Sequence, residues 1–187
     1  MNHPRPASVH RVVIALGANL GEPIRQLADA RATLQDWAMP NGSVLASSLY
    51  LSQPLDCPEG SPPFYNAAVA FDYLGDAFSL LERTRELELA FGRQPHAPRH
   101  SPRMLDLDLL LFGNECICTP SLIIPHPRLL ERRFALEPLC EVWRQETIPA
   151  INWRLDDLRH HSRTLHQAIE VLELDWSDGC ARIAIDQ

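Results

Sequence analysis

Asp106 and Asp108 lie two residues apart in the stretch Arg103-Met104-Leu105-Asp106-Leu107-Asp108-Leu109-Leu110-Leu111-Phe112-Gly113. The remainder of that stretch is apolar enough to read as a buried strand, in which residues i and i+2 share a face about 7 Å apart. Both carboxylates are therefore expected on one face with Leu110 and Phe112. Leu105, Leu107, Leu109 and Leu111 are expected on an opposite, wholly apolar face. Neighbouring carboxylates repel one another, and desolvating each without a partner is costly. A positive partner must balance them, either a divalent cation, arginines, or both. Arg93, Arg99 and Arg103 lie directly upstream, and a guanidinium fork binds two phosphate oxygens at once. The pattern favours a Mg²⁺ and phosphate site over a surface strand whose aspartates are solvated or paired with arginine.

The elements that must position these residues follow from periodicity and chain breakers. The basic loop 93–103 holds three prolines, three arginines and two histidines without periodicity, and it feeds directly into the aspartate strand. Before it, Asp76 can cap a helix over 77–91 with Leu80, Leu81, Thr84, Leu87 and Phe91 as its buried stripe and Gly92 as its C′ residue. Glu88 falls beside that stripe, near a helix end where an anion is disfavoured. Either it has a specific partner or it sits on a solvated face. Val12–Leu16 reads as a central strand running into the turn Gly17-Ala18-Asn19-Leu20-Gly21. That turn lacks the Gly-Lys-Ser/Thr ending of a P-loop. Pro23 suits the first turn of a helix, with Ile24, Leu27, Ala28, Arg31, Leu34 and Ala38 at helical spacing.

Ser43 to Leu51 reads as a strand, and the segment 52–63, with four prolines in twelve residues, excludes a regular element. The strand over 64–73 places Asn66, Ala68, Ala70 and Asp72 on one face and Ala67, Val69, Phe71 and Tyr73 on the other. An amide there, next to aromatics, suits the edge of a polar heterocycle, although a lone Asn is otherwise usually a capping or turn residue. Gly113-Asn114 predicts a turn, with Glu115–Cys118 as the returning strand of a hairpin. His126 is held between Pro125 and Pro127 and so is rigidly placed. Leu129–Leu136 reads as a short helix or turn presenting Arg132 and Phe134. Beyond residue 140 the spacing of Leu165, Ala168, Ile169 and Leu172 predicts a helix over 164–174 capped by Ser162. Asp178-Gly179 predicts a turn, and Ala181–Ile185 an edge strand.

The 187 residues carry a net charge of −7, with 45% hydrophobic and 22% charged side chains, which argues against general nucleic-acid or anionic-membrane binding. Five cysteines, an odd number with no CxxC pair, read as reduced thiols rather than disulfides or a structural zinc site. Cys116 and Cys118 are expected on one face of a strand as small apolar residues. No apolar stretch approaches the roughly 18–20 residues that span a bilayer, and Val12–Leu16 is too short for a signal-peptide core. The expectation is a cytoplasmic protein acting on small molecules, with neither nucleic acid nor membrane as a partner.

Four stretches together resemble the 6-hydroxymethyl-7,8-dihydropterin pyrophosphokinase family. They are Ile14-Ala15-Leu16-Gly17-Ala18-Asn19-Leu20-Gly21, Phe64-Tyr65-Asn66-Ala67-Ala68-Val69, the run from Glu88 to Arg93 with Pro102 to Gly113, and Ile124-Pro125-His126-Pro127-Arg128 through Phe134. The resemblance implies an α+β, ferredoxin-like, mostly antiparallel sheet with helices packed on its faces, acting as a monomer. The domain would span 11–175, between a tail at 1–10 and a C-terminal extension at 176–187. It implies transfer of pyrophosphate from ATP to the hydroxymethyl group of the reduced pterin, with release of AMP. Asp106 and Asp108 would hold two Mg²⁺ ions, and Arg93 and Arg103 would assist transfer. Glu88, Arg99, Leu109, His126 and Arg132 fall on the nucleotide side. Phe64 and Phe134 would sandwich the pterin, with Asn66 on its edge and Ser52 and Leu55 lining the same pocket. The loops 52–63 and 93–103 are expected to close over the substrates. Ala18, Gln53, Pro95 and His100 depart from the family pattern. Two other readings are a catalytically silent paralogue that binds nucleotide or pterin, and a metal hydrolase built on Asp106, Asp108 and His126.

Overall fold

A computed structural model describes residues 8–94, 101–177 and 182–183. Arg99, Pro95 and His100, and the Asp178-Gly179 turn, lie outside the described residues. In chain order the first elements are β1 (Val9–Ala18), α1 (Pro23–Trp37), β2 (Leu45–Ala46), β3 (Leu49–Ser52), β4 (Phe64–Leu74) and α2 (Ala77–Ala90). There follow β5 (Asp106–Phe112), β6 (Ile117–Cys118), β7 (Ile123–Ile124) and α3 (Arg133–Val142). The chain ends in β8 (Thr147–Ile148), β9 (Trp153–Arg154), α4 (Leu155–Thr164), β10 (Ile169–Leu172), β11 (Leu174–Asp175) and β12 (Arg182–Ile183).

The main sheet runs β10-β3-β4-β1-β5, with β2 also on β4, and every pairing in it is antiparallel. Alternation along the long strands sends side chains to two cores. Val12, Ile14 and Leu16 of β1 join Ala67, Val69 and Phe71 of β4 beneath α1 and α2, represented by Leu27, Leu34 and Leu80. Val13, Ala68 and Ala70 face the other way, onto Leu136 and Leu139 of α3 and Leu158 of α4. The fold is thus α+β and mostly antiparallel with helices on both faces, as the resemblance implies. No helix among the described residues is long and apolar enough to cross a membrane.

Several local expectations are corrected by contacts between distant segments. Between β1 and β5 the register jumps from Val13↔Leu111 to Ile14↔Leu109. Leu110 is the extra residue of a bulge, and a bulge inverts the alternation beyond it. Phe112 therefore joins Leu105, Leu107 and Leu109 in the core under α1 and α2, whereas Leu111 joins Leu110 on the aspartate side. The strand expected over 43–51 is two short strands. Between them the Ser47 hydroxyl accepts the Ala68 N–H, replacing a ladder bond.

β6 does not return along β5 but pairs with β7, and Cys116 and Cys118 are exposed. The helix expected over 164–174 is absent. α4 ends at Thr164, and Ile169–Leu172 completes the open edge of β3, whose unpaired backbone groups reward strand pairing over local helical spacing. Ser162 is buried inside α4 rather than capping a helix. β12 pairs with β11, off the main sheet, and Val9 and His10, expected in the tail, pair with Leu74 and Tyr73.

Candidate active site

Two rows of side chains cross the sheet on the face that carries α3. One runs Asn66–Gly17–Asp106, the other Ala68–Ala15–Asp108. The central strand contributes only a hydrogen and a methyl to these rows, so the larger neighbours stand around a hollow. The resulting cavity is about 630 Å³. Arg93, Arg103, Asp106, Asp108, His126, Arg132, Ser52, Leu55, Phe64, Asn66 and Phe134 all line it. The distant segments singled out in the sequence therefore converge on one place.

Leu109 does not line the cavity. It lies on the face opposite the aspartates, buried in the core under α1 and α2. Glu88 sits behind the cavity and is 3% exposed, on the stripe Ala77-Leu80-Thr84-Glu88 rather than beside a solvated face. The cavity wall also includes Ala15, Gly17 and Arg128, which sequence reasoning did not select. The alternation of small residues Ala15 and Gly17 on an otherwise bulky strand was the available signal.

Each aspartate has its own set of cations. Asp106 pairs closely with Arg103 and stands 3.6 Å from Arg93. Asp108 stands 3.6 Å from Arg132 and 3.9 Å from His126. Asp108 faces the cavity with 37% of its side chain accessible, yet protein surrounds it. Loss of water and then the neighbouring Asp106 charge push its carboxyl up, against the pull of His126, Arg132 and Arg103. Burial pulls the Arg103 guanidinium down, but Asp106 and the other carboxylates outweigh that and raise it. Burial, then Arg128, lowers Arg132. Desolvation also lowers His126, against the pull of Asp108. The His126 Nδ1 accepts the Arg128 N–H at 3.3 Å, so Nε2 carries the proton that faces Asp108.

The paired carboxylates fit a hard divalent cation. Their oxygens are the donors Mg²⁺ prefers, and Mg²⁺ sites commonly use one or two carboxylates with substrate phosphates completing the shell. Among the described residues no group of three or more His, Cys, Asp or Glu is placed to hold a metal ion. A cation beside Asp106 and Asp108 would also remove the repulsion that raises Asp108.

Asn19 is the residue sequence reasoning passed over. It is 4% exposed, accepts the Arg103 N–H at 2.7 Å and donates to the Pro62 carbonyl at 3.0 Å. Its own N–H donates to the Arg103 carbonyl at 3.0 Å. One side chain thus ties the ends of both proline-rich loops to the end of β1. On the other side, Asn66 donates to the Ser52 hydroxyl at 2.9 Å and to the Phe64 carbonyl at 3.1 Å.

Residues 13–144 match the family model for 7,8-dihydro-6-hydroxymethylpterin-pyrophosphokinase (HPPK). The chain belongs to this family. It is 41% identical over 132 residues to the 2-amino-4-hydroxy-6-hydroxymethyldihydropteridine pyrophosphokinase of Bacillus subtilis, covering 71% of this chain and 77% of that protein. With the pyrophosphokinase of the same name from Pseudomonas aeruginosa the identity is 37% over 153 residues, covering 81% and 88%. Among solved structures, wild-type Plasmodium falciparum HPPK-DHPS with pteroate superposes with a TM-score of 0.64 at 14% identity. That match covers 83% of this chain and 45% of the longer one, and it supports the pyrophosphokinase fold.

Proposed function

We propose that the chain transfers the pyrophosphoryl group of ATP to the hydroxymethyl oxygen of 6-hydroxymethyl-7,8-dihydropterin, releasing AMP, as a step of folate biosynthesis. The observation that carries this reading is the row Asn66–Gly17–Asp106, with Phe64 and Phe134 in the same cavity wall. It sets an amide and two rings, suited to a flat polar heterocycle, beside paired carboxylates suited to metal-bound phosphate. Release of AMP places the attack at the β-phosphorus. The pterin oxygen bonds to it, the bridging oxygen leaves with the α-phosphate, and the hydroxyl proton passes to water.

Such a transfer needs positioning and charge neutralisation more than covalent help. Asp106 and Asp108 would hold magnesium, two ions in this reading, and the metal would supply charge neutralisation at the phosphates. Arg93 and Arg103 bind the phosphates through their guanidinium forks, a role that the family resemblance also gives Arg99. His126 and Arg132 bind the nucleotide side. Glu88 acts through Arg93 and the aspartate strand. Phe64, Phe134, Asn66, Ser52 and Leu55 hold the pterin. The catalytic unit works as a cytoplasmic monomer, and it takes in Val9 and His10 at its start and Trp176 at its end.

Incubating the protein with ATP, Mg²⁺ and the reduced hydroxymethylpterin tests the reading by chromatography of the nucleotides. AMP appearing only when pterin is present is the expected result. No AMP removes the reading, and ADP with free phosphate replaces it with hydrolysis.

A further inference from the structure

Arg132 and Phe134 both line the cavity, and local bonds hold the backbone that carries them only in part. The Arg132 N–H reaches the Leu129 carbonyl at 3.5 Å and the Arg132 carbonyl accepts the Ala135 and Leu136 N–H groups, whereas the Arg133 N–H and the Glu131 carbonyl are met by a distant side chain. Arg132 is the N-cap of α3 and provides no side-chain cap, so the first N–H groups of the helix need another acceptor. That acceptor comes from 34 residues away, where Gln167 Oε1 takes the Arg133 N–H at 2.7 Å. The same amide donates through Nε2 to the Glu131 carbonyl at 2.8 Å. Gln167 therefore grips the peptide groups on both sides of Arg132. Its own carbonyl accepts from the Arg133 guanidinium at 3.3 Å, and His161 Nε2 meets the adjacent Leu130 carbonyl at 2.7 Å.

Two residues beyond Gln167 the chain enters β10, where Ile169 pairs with Ser52. Ser52 in turn pairs with Phe64 and accepts from Asn66. The segment 167–169 thus spans from the Phe134 wall of the cavity to the Phe64 wall. None of it lies within residues 13–144, the part matched by the family model.

We infer that Gln167 is a positioning residue for the transfer reaction: its side-chain amide fixes the 131–133 backbone, and through it the placement of Arg132 against Asp108 and of Phe134 in the cavity wall. The inference rests on the proposed function for the identity of the substrates, whereas the backbone grip itself can be read without them. A polar amide acting on both neighbours of one residue is suited to this role because it sets that residue's φ and ψ rather than merely filling space.

Gln167→Leu keeps the size of the side chain and removes both hydrogen bonds. Gln167→Glu keeps the acceptor for the Arg133 N–H, at a helix start where an anion is favoured, and replaces the donor to Glu131. Measured well below the unfolding temperature, Gln167→Leu is expected to lose at least about tenfold in kcat/KM, the scale of a small misplacement at a reacting site, with the pterin KM raised. Gln167→Glu is expected to recover part of that loss and to remain folded if Gln167→Leu does not. Alongside, the Arg132 Nε–Hε NMR signal, assigned by its disappearance in Arg132→Lys, is expected to shift or broaden in both variants. This second readout holds even for a chain that produces no AMP, so it separates failure of the grip from failure of the functional reading. An unmoved Arg132 signal overturns the inference, as does a folded variant with lowered melting temperature and unchanged kcat and KM.

Discussion

Glu88 accepts the backbone N–H of Leu107 at 2.9 Å, at the residue that separates the two aspartates. β5 is an outer strand of the sheet, so this N–H has no strand partner, and a carboxylate on α2 takes that place. The other Glu88 oxygen pairs closely with Arg93. One buried acid therefore ties the aspartate strand to the first arginine of the basic loop.

That burial has a pH signature. Loss of water pushes the Glu88 carboxyl up to about 7, with the Leu107 N–H and Arg93 pulling the other way. The folded chain then holds the proton more tightly than the unfolded chain, so stability is greatest below the unfolded value of 4.5 and falls as pH rises towards 7. In metal-free buffer, urea unfolding should show a wild-type loss over that window that is absent in Glu88→Gln. The difference in slope should reach at most about 1.4 kcal/mol per pH unit. Parallel curves for the two proteins would show that the carboxyl titrates as an ordinary glutamate.

Asn19→Ala removes the two side-chain bonds that join Pro62 and Arg103 to the end of β1. Leaving the part-buried Arg103 N–H without its acceptor should cost about 1 kcal/mol in urea unfolding, and kcat should fall because Arg103 loses its anchor. An unchanged kcat would separate the loop anchor from the chemistry.

Gly17→Ala tests the hollow at the centre of the sheet. A Cβ there would lie 3.6 Å from the Asn66 side-chain oxygen and 3.9 Å from both Asp106 and Phe64, which is ordinary contact. The variant should fold with stability equal to or above that of wild type, since glycine inside a strand is unfavourable by roughly 0.5–1 kcal/mol. The methyl nevertheless projects into the slot assigned to the pterin, and the pterin KM should rise by about 10- to 100-fold. Unaltered pterin affinity would move that substrate elsewhere in the cavity.

Asp106→Ala and Asp108→Ala should each lower turnover by more than about 10²-fold while leaving the circular dichroism spectrum unchanged. A non-hydrolysable ATP analogue should raise the melting temperature of wild type more in the presence of Mg²⁺ than without it. That magnesium-dependent increment should vanish in both variants. Near-normal turnover, or a retained increment, would take the metal away from these carboxylates.

Much of the site was legible because it rests on short-range geometry. The two-residue period of a strand puts Asp106 beside Asp108, and Asn66 on the same face as Ala68, whatever surrounds them. Prolines on either side of His126 restrict it locally, and Asp76 caps α2 as its type and position predict. The reversal at Leu110, which sends Phe112 into the opposite core, arises only from pairing with β1. Ile169–Leu172 has helical spacing, yet it is a strand because the edge of β3 is open. Glu88 falls on the buried stripe of α2, and its partner there, the Leu107 N–H, is supplied only by the docking of α2 against β5. Asn19 and Gln167 are ordinary polar residues in their own neighbourhoods. Their partners lie 43 and 84 residues away for Asn19 and 34 and 36 residues away for Gln167. Residue type and local spacing carry no record of such distances, because the hydrogen bonds exist only once the folded chain has brought their two ends together.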